Sequence, residues 1–397
     1  MRILNILNLL GTAYAITEQV SQELLDLHKN LILNPSITRN ETLAVDFLST
    51  YLQSKGWNVE LQDVINKDIN PDIKRQNIFA YLNDPQDVKM ILNSHTDVVP
   101  PYVDYHYTTD EQGRDVIYGR GANDAKGQIA AQITAAQQVR SADPEMSKSI
   151  GLLYDLGEEG IFDGAKHAQD NLPPNLEYFI VGEPTQLEMI SGHKGNMGFE
   201  IRAKGLAAHS SSPHWGVNAI EKLSEAILKL ESVSLPHDEL LGDTTMAVTK
   251  ISGGTAMNKV PDEAVAYVNV RTSVPTDVTW QVLTESGLES EWIEIVLVDE
   301  PHNPVILDTV DNWRPVQTMP FGTDLFAWKH PTAKKMLIGC GSVSSAHKLD
   351  EHIYKDELVE GVDVYVELIT GLLEGTLKTS TTKQEQAEQH KHVKDEL

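Results

Sequence analysis

Apolar residues in the first half of the chain follow two alternating patterns. Some segments repeat them at helical spacing, and others form the short, uninterrupted apolar runs that are typical of buried strands. The predicted helices cover 20–33, 42–55, 128–139 and 164–171. The predicted strands cover 57–61, 76–82, 88–93, 149–156 and 178–182. This alternation indicates an α/β domain in which helices flank a mostly parallel sheet.

The order of elements changes after residue 195. Strands are predicted at 196–203, 245–251, 264–272 and 292–298, and helices at 217–230 and 276–288. This βαββαβ order is that of a ferredoxin-like unit. The first pattern then resumes with a helix at 323–328, a strand at 335–339 and a helix at 356–373. We therefore predict a larger α/β domain made of 16–195 and 309–375, with a ferredoxin-like domain inserted at 196–308.

The two ends of the chain resemble targeting signals. Residues 1–15 combine an early arginine, a leucine-rich stretch and a small-x-small ending, which is typical of a signal peptide; an amphipathic helix is the alternative. The polar tail at 376–397 ends in KDEL, an ER-retrieval signal unless the match is chance in a charged tail. Asn40-Glu41-Thr42 is a glycosylation sequon. We expect a glycoprotein of the secretory pathway, in the ER lumen if a retrieval receptor binds the tail and secreted otherwise.

Composition limits the chemistry that this chain can carry. Its 397 residues are enough for two or three domains, and no apolar run is long enough to span a bilayer. A net charge of -26 would repel nucleic-acid phosphates. Cys340 is the only cysteine, so neither an intrachain disulfide nor a thiolate cluster is possible. Any metal must therefore be bound by His, Asp and Glu.

His95 and Asp97 follow the predicted buried strand at 88–93 almost directly. Ligands bind at the C-terminal ends of strands in an open α/β sheet, so we expect both side chains at such an edge. An imidazole that binds a metal usually has a carboxylate nearby that orients it. The alternative is a solvated turn before Pro100, and a single His-x-Asp pair fits that alternative better.

Two glycine-rich segments add carboxylates. Asp124 lies among glycines at a predicted helix start, in YGRGANDAKG. Helix capping explains the aspartate but not the glycines, which suggest a close approach of the backbone to another group. Glu158 and Glu159 follow a buried strand, in DLGEEG. One of them can bind a metal while the other handles a proton, and the alternative is a pair of solvated acids.

Two further predicted strands are followed by Glu183, in VGEPT, and by His347, in GCGSVSSAH. Each of these motifs is weak evidence for a metal site on its own. Together, five predicted strand-end positions would lie at the same edge of one sheet: His95, Asp124, Glu159, Glu183 and His347. Two metal ions that share a bridging carboxylate need this set of oxygen and imidazole ligands, without sulfur. The sequence therefore predicts a two-metal site.

Seven motifs, in this order, resemble the di-zinc metallopeptidase family that includes acetylornithine deacetylase, succinyl-diaminopimelate desuccinylase, aminoacylase and glutamate-releasing carboxypeptidase. They are SHTDVVP, GRGANDAKG, GEEG, VGEPT, SGHKG, AAHSSSPHWGVNAI and GCGSVSSAH, and the match covers roughly 24–373. SHTDVVPPY with GEPTQLEMISGHKG is most similar to the secreted fungal branch, whose members are named probable carboxypeptidases. The resemblance implies a zinc-peptidase catalytic domain with an inserted lid or dimerisation domain.

The resemblance also implies which residues bind the metal. His95 and Glu183 would hold one Zn²⁺, and Glu159 and His347 would hold the other. Asp124 would bridge the two ions. The expected cofactor is therefore two Zn²⁺ per subunit, for which Co²⁺ or Mn²⁺ could substitute.

Further roles come from the same resemblance. Asp97 would orient His95, and Glu158 would be the general base and acid. His209 of the lid would stabilise the oxyanion, often from the partner subunit; a surface histidine is the alternative. Asn258 and Arg271 would receive the carboxylate of the substrate, and the loop at Gly322 would line the same pocket; an ion pair within the small domain is the alternative for Arg271.

We therefore expect an enzyme that hydrolyses an amide or peptide bond next to a free carboxylate, in a small peptide or an N-acyl amino acid. The main alternative is an N-acyl amino-acid deacylase such as acetylornithine deacetylase. A non-catalytic metal-binding module is disfavoured, because Glu158 and all five ligand positions are present. The partners expected are this substrate and a second copy of the chain, bound through the lid domain.

Overall fold

A computed structural model of the protein describes residues 16–381. The predicted signal peptide and the KDEL sequence lie outside the described residues. The chain forms two compact units. Unit 1 contains the described residues up to Ser191 together with Leu307–Gln317 and Ala327–Thr381. Unit 2 contains Gly192–Ile306 and Thr318–Phe326.

Helices and strands alternate along unit 1 as the apolar pattern predicts, and unit 2 adds further helices and strands within the same chain order. The helices are α1 Glu18–Leu33, α2 Thr42–Ser54, α3 Lys126–Ala142, α4 Pro144–Ser147, α5 Asp163–Ala168, α6 Ala219–Leu230, α7 Thr276–Glu285 and α8 Lys355–Leu373. Among residues 16–381, none of the helices has both the length and the apolar character to cross a membrane. The strands are β1 Asn58–Asp63, β2 Gln76–Tyr81, β3 Met90–His95, β4 His106–Thr109, β5 Asp115–Tyr118, β6 Ile150–Asp155, β7 Tyr178–Val181, β8 Met189–His193, β9 Gly195–Lys204, β10 His237–Asp238, β11 Gly242–Asp243, β12 Thr245–Gly253, β13 Glu263–Thr272, β14 Ile293–Leu297, β15 Val305–Ile306, β16 Asp308–Val310, β17 Val316–Met319, β18 Lys334–Leu337, β19 His352–Tyr354 and β20 Thr379–Thr381.

The main sheet of unit 1 has the strand order β1-β2-β6-β3-β7-β18. Strands β6, β3, β7 and β18 run parallel to one another, whereas β1 and β2 add an antiparallel edge. All six residues of β3 and of β6 are buried, as expected for parallel strands that are covered on both faces. The predicted mostly parallel α/β sheet is therefore confirmed.

The burial of helix α3 explains why its sequence is rich in small residues. Twelve of its residues are buried, and most of them are Ala, Ile, Gly or Gln. Main-chain groups supply most of the hydrogen bonds of its buried polar side chains. The Gln128 amide accepts from Cys340 N at 2.9 Å and donates to Cys340 O at 2.7 Å. Gln132 donates to Asn93 O at 2.8 Å, so the helix is bonded directly to the neighbouring segments.

Unit 2 has the predicted ferredoxin-like topology. Its sheet has the order β12-β13-β9-β14, with every neighbouring pair antiparallel. Helix α6 buries Leu223 and Leu230 in the core that these strands share. Strand β12 forms one edge of the sheet, and eight of its nine residues are exposed.

Three features differ from the sequence-based predictions. The predicted helix at 323–328 is only a short 3-10 turn, Asp324–Phe326. Residues 318–326 belong to unit 2, although we predicted that the larger domain resumes at 309. A three-stranded sheet of order β19-β5-β4 was not predicted. Its strands have three or four residues each, too few for a visible alternation, and β19 lies far from β5 along the chain.

His28 of α1 gives a prediction for stability. It is 0% exposed, its Nε2 donates to Ala122 O at 2.8 Å, and burial lowers the pKa of the ring to about 4. The unfolded chain therefore takes up a proton near pH 6.5 that the folded chain refuses, so acid favours unfolding. Between pH 7.5 and pH 5 this group should lower the free energy of unfolding by about 2 kcal/mol. Urea unfolding of His28→Gln should show a shallower pH dependence than the wild type; identical slopes would contradict this prediction.

Candidate metal centre and active site

Four neighbouring parallel strands bring their C-terminal ends to one edge of the main sheet. In spatial order, β6, β3, β7 and β18 end at Asp155, His95, Val181 and Leu337. Three predicted ligands lie in the segments that follow β6, β7 and β18: Glu159, Glu183 and His347. The expected edge of the sheet therefore exists, and His95 is itself the last residue of its strand.

Asp124 reaches this edge by another route. It follows β5, which belongs to the separate three-stranded sheet, and it lies just before α3. Our prediction that all five positions follow strands of one sheet is therefore wrong for Asp124. The loop is held against the C-terminal end of α1, because Lys126 Nζ donates to Leu31 O and to Asn34 O, each at 2.9 Å.

The five predicted ligands meet around the Asp124 carboxylate. His95 Nε2 lies 3.2 Å from Asp124 Oδ1 and 3.6 Å from Glu183 Oε1. His347 Nε2 lies 3.4 Å from Asp124 Oδ2 and 2.9 Å from Glu159 Oε2. Each oxygen of Asp124 therefore contacts a different histidine, and each histidine contacts a different glutamate. This is the grouping that two cations with a shared carboxylate need.

The electrostatics of the cluster also fit bound cations. Burial raises the pKa of Glu159 to about 7, and the charge of Asp124 adds to this shift. Hydrogen bonds with Asp124 and Glu159 raise the pKa of His347 to about 10. Crowded, buried carboxylates need positive charge nearby. Ligand atoms of His95, Asp124 and Glu159 all lie within 4.8 Å of one another, so these side chains can hold a metal ion.

Asp97 lies beneath the cluster and is 0% exposed. Its carboxylate is 3.5 Å from His95 Nδ1, and the shorter contact of that nitrogen, 2.9 Å, is with the main-chain oxygen of Asp97. The carboxylate accepts from Glu158 N at 3.1 Å, from Glu159 N at 3.3 Å and from Thr38 Oγ1 at 2.8 Å. Asp97 therefore contacts both the imidazole and the backbone of the Glu158-Glu159 turn.

The Glu158-Glu159 turn is shaped by Gly157. This glycine has φ +80°, and a Cβ added to it would lie 2.5 Å from Asp163 Oδ1. Asp163 in turn pairs with the buried Arg75, with Nη1 2.5 Å from Oδ2. The chain can therefore turn sharply just after β6, immediately before the two adjacent glutamates. Glu159 contacts His347. Glu158 is half-buried.

The other predicted site residues lie in unit 2. His209 and Asn258 come from adjacent loops: His209 forms an isolated bridge with Lys259, and Ser210 N donates to Asn258 O at 3.0 Å. His209 is exposed, and its Nδ1 accepts from Ser211 N at 3.1 Å. Arg271 is half-buried within β13. Gly322 lies beside Lys194, whose main-chain oxygen would be 3.0 Å from an added Cβ.

We assigned no role to His193 of the SGHKG motif. It is buried, with only 1% of its surface exposed. Its Nδ1 lies 3.0 Å from Lys194 O, and its Nε2 lies 3.2 Å from Thr323 Oγ1. Those contacts join segments that are far apart in sequence, so no local pattern could show them.

Sequence reasoning also missed Glu351. Its carboxylate is buried and accepts hydrogen bonds from the loop that presents Asp124. In the sequence it stands in KLDEHI, where neighbouring charges suggest a solvated acid. The only feature of the sequence that could have pointed to Glu351 is its position four residues after His347.

Comparison with known proteins identifies relatives along most of the chain. The model of the peptidase dimerisation domain matches residues 191–285. A peptidase M20 domain-containing protein of Schizosaccharomyces pombe is 35% identical over 346 residues, covering 87% of this chain and 84% of the relative. A probable carboxypeptidase of Talaromyces marneffei is 36% identical over 391 residues, covering 88% of this chain and 86% of the relative.

A solved structure agrees with the sequence relatives. A dinuclear metal-binding peptidase of the M20 family from Bacillus subtilis has a TM-score of 0.64 and 14% identity, covering 90% of this chain and 99% of that chain. At that identity the similarity concerns the fold alone. The identity to the fungal relatives is higher, extends over most of both chains and confirms the resemblance inferred from the motifs. The chain therefore belongs to the M20 family of metallopeptidases, enzymes that hydrolyse peptide bonds.

Proposed function

We propose that this protein hydrolyses a peptide or amide bond next to a free carboxylate, with a metal pair in unit 1 and Glu158 as the general base. One observation carries the proposal: the two oxygens of Asp124 contact His95 and His347, at 3.2 and 3.4 Å. A carboxylate shared in this way between two imidazoles is suited to bridging two cations. The fungal relative named a probable carboxypeptidase favours release of a C-terminal residue.

In this proposal the ligands divide into two sets. His95 and Glu183 would hold one zinc ion, Glu159 and His347 would hold the other, and Asp124 would belong to both sets. The name of the Bacillus subtilis neighbour, a dinuclear metal-binding peptidase, supports two ions. Bound zinc would lower the pKa of a water molecule and polarise the substrate carbonyl.

Glu158 would move the proton. Its main-chain nitrogen is held by Asp97 Oδ1, which fixes where the side chain begins. In the proposed reaction the Glu158 carboxylate accepts the proton of the attacking water. It then donates that proton to the leaving nitrogen, so that the amide bond breaks and a carboxylate and an amine are released.

His209 would donate a hydrogen bond to the oxygen that gains charge. Because Nδ1 accepts from Ser211 N, the neutral ring carries its proton on Nε2. Replacing His209 with alanine should therefore reduce kcat by ~10²–10³-fold, as for other oxyanion donors. Steady-state kinetics measures this, and His214→Ala is the matched control, because His214 is an exposed histidine five residues away. Equal kcat values for the two variants would exclude the role of His209.

A substrate panel tests the proposed function. We expect the zinc-loaded protein to cleave N-blocked dipeptides with a free C-terminal carboxylate and to ignore the same dipeptides as C-terminal amides. Chelation should abolish the activity, and added zinc should restore it. Cleavage of N-acetyl amino acids in place of the dipeptides would support the deacylase alternative. No hydrolysis of either class by metal-loaded protein would refute the proposal.

We further propose that the chain forms a homodimer through unit 2. The match to the peptidase dimerisation domain covers most of this unit, and the exposed edge strand β12 offers unpaired main-chain groups. Light scattering should give about twice the mass of 44.0 kDa. A single-chain mass at micromolar concentration would argue against the dimer.

We also propose that the chain resides in the secretory pathway. The support is the sequence at both ends and the exposed position of Asn40 in its sequon. Removal of the last four residues should release the protein into the medium if a retrieval receptor binds them. Treatment with an endoglycosidase should increase its gel mobility. A mature protein that still begins at Met1 and keeps its mobility would contradict this location.

A further inference from the structure

Glu351 makes contacts that none of the proposed roles uses. It lies between His347 and strand β19, and it is 1% exposed. Its Oε1 accepts hydrogen bonds from three main-chain nitrogens of one loop: Gly121 at 3.0 Å, Asn123 at 3.2 Å and Asp124 at 3.1 Å. The carboxylate therefore holds the backbone of Asp124 itself, from a position 227 residues further along the chain.

The second oxygen of Glu351 is held by a buried cation. Arg120 is 1% exposed, and its Nη1 lies 2.5 Å from Glu351 Oε2. Arg120 Nε also donates to Pro101 O at 3.1 Å. Hydrogen bonds to ionised groups are shorter and stronger than neutral ones, and breaking a buried pair leaves an uncompensated charge. The carboxylate therefore has a fixed position and is saturated by the protein, so it is not itself available as a ligand.

Asn123 makes a second connection between the same two segments. Its Nδ2 donates to Ser342 O at 2.9 Å, and its Oδ1 accepts from Ser342 N at 3.0 Å. The approach is so close that a Cβ on Gly341, which has φ +74°, would lie 2.0 Å from Asn123 Oδ1. Ser342 and Glu351 stand on either side of His347 in one connection, residues 338–351. The loop that carries Asp124 is thus bonded to both ends of the segment that carries His347.

We propose that Glu351 and Asn123 are positioning residues that assemble the Asp124 and His347 half of the metal site before any cation binds. The inference rests on the proposed function, because it needs Asp124 and His347 to be metal ligands. None of the bonds described here involves a ligand atom of the cluster. The two residues therefore fix the backbones of the ligands without occupying a coordination position. Because the site is ordered before a cation binds, binding loses less conformational entropy.

Metal affinity and hydrogen exchange test this proposal. In Glu351→Gln the side chain keeps its size but loses the charge that pairs with Arg120. We expect zinc affinity, measured by competition with a chromophoric chelator, to fall ~10–100-fold, as for other outer partners of metal ligands. We also expect kcat at low zinc to fall while KM stays near the wild-type value, with excess zinc restoring kcat. In the metal-free protein, the peptide that covers 119–126 should exchange its amide hydrogens faster than in the wild type.

Controls separate positioning from general stability. Leu48→Ala removes buried apolar volume from α2, so it should lower the melting temperature without changing zinc affinity. If Glu351→Gln does not fold, Asn123→Ala carries the same test, because it removes only the pair of bonds to Ser342. Wild-type zinc affinity and wild-type exchange in both folded variants would overturn the inference and leave the proposed function intact. A wild-type protein that binds no zinc would instead overturn the proposed function.

Discussion

Replacing Glu158 with glutamine should reduce kcat by ~10²–10⁴-fold, the range typical of general acid–base catalysis. Glutamine has nearly the same shape, but its amide cannot accept a proton from water at neutral pH. The main-chain bond from residue 158 to Asp97 does not depend on the side chain, so the turn should keep its shape. The variant should therefore bind metal like the wild type, which separates proton transfer from metal binding.

Glu159→Gln provides the matched control for this experiment, since it makes the same chemical change one residue further along the chain. Glu159 contacts His347 at 2.9 Å, so this change should weaken metal binding as well as lower activity. The two variants should therefore differ in metal content. If Glu158→Gln keeps wild-type kcat, Glu158 is not the base. If it loses metal as Glu159→Gln does, its role is that of a ligand.

The largest effect on metal binding is expected at Asp124. Its two oxygens contact different histidines, so Asp124→Asn removes one ligand oxygen and the negative charge that both cations would share. Zinc affinity should fall by more than the ~10–100-fold found for outer partners of metal ligands. Activity should fall with it, and high zinc should restore it only in part. Metal content and kcat measured across a zinc titration would show both effects.

Folding of this variant should be preserved, because the bond from residue 124 N to the Glu351 carboxylate does not use the side chain of residue 124. Asp110→Asn is a suitable control, since Asp110 lies in an exposed turn with Arg114 and contacts none of the ligands. An Asp124→Asn protein with two tightly bound zinc ions per chain would show that Asp124 is not the shared ligand.

The fold could be predicted because its signals are local. Uninterrupted apolar runs identified the buried parallel strands, and the order of elements identified the ferredoxin-like unit. His95 was found for the same reason, because it ends β3 and the ends of parallel strands form an edge. The small sheet of β4, β5 and β19 could not be found, since its strands are short and pair across a long stretch of chain.

The candidate ligands were found through residue type, whereas the residues that hold them were not. Asp124 was recognised from surrounding glycines, although the strand that precedes it, β5, was not predicted and lies in a different sheet. Glu351 and His193 are buried by contacts with distant segments, and a charged or polar residue in a polar loop shows no sign of this in sequence. Side chains that support a site across long sequence separations therefore need coordinates.

Anomalous X-ray diffraction at the zinc edge, from crystals grown with zinc, tests the central claim most directly. We predict two peaks about 3.5–4 Å apart, the usual spacing of two-metal sites. One peak should lie against His95 and Glu183, the other against Glu159 and His347, and both should contact Asp124. A single peak, or two peaks that do not share Asp124, would contradict the account.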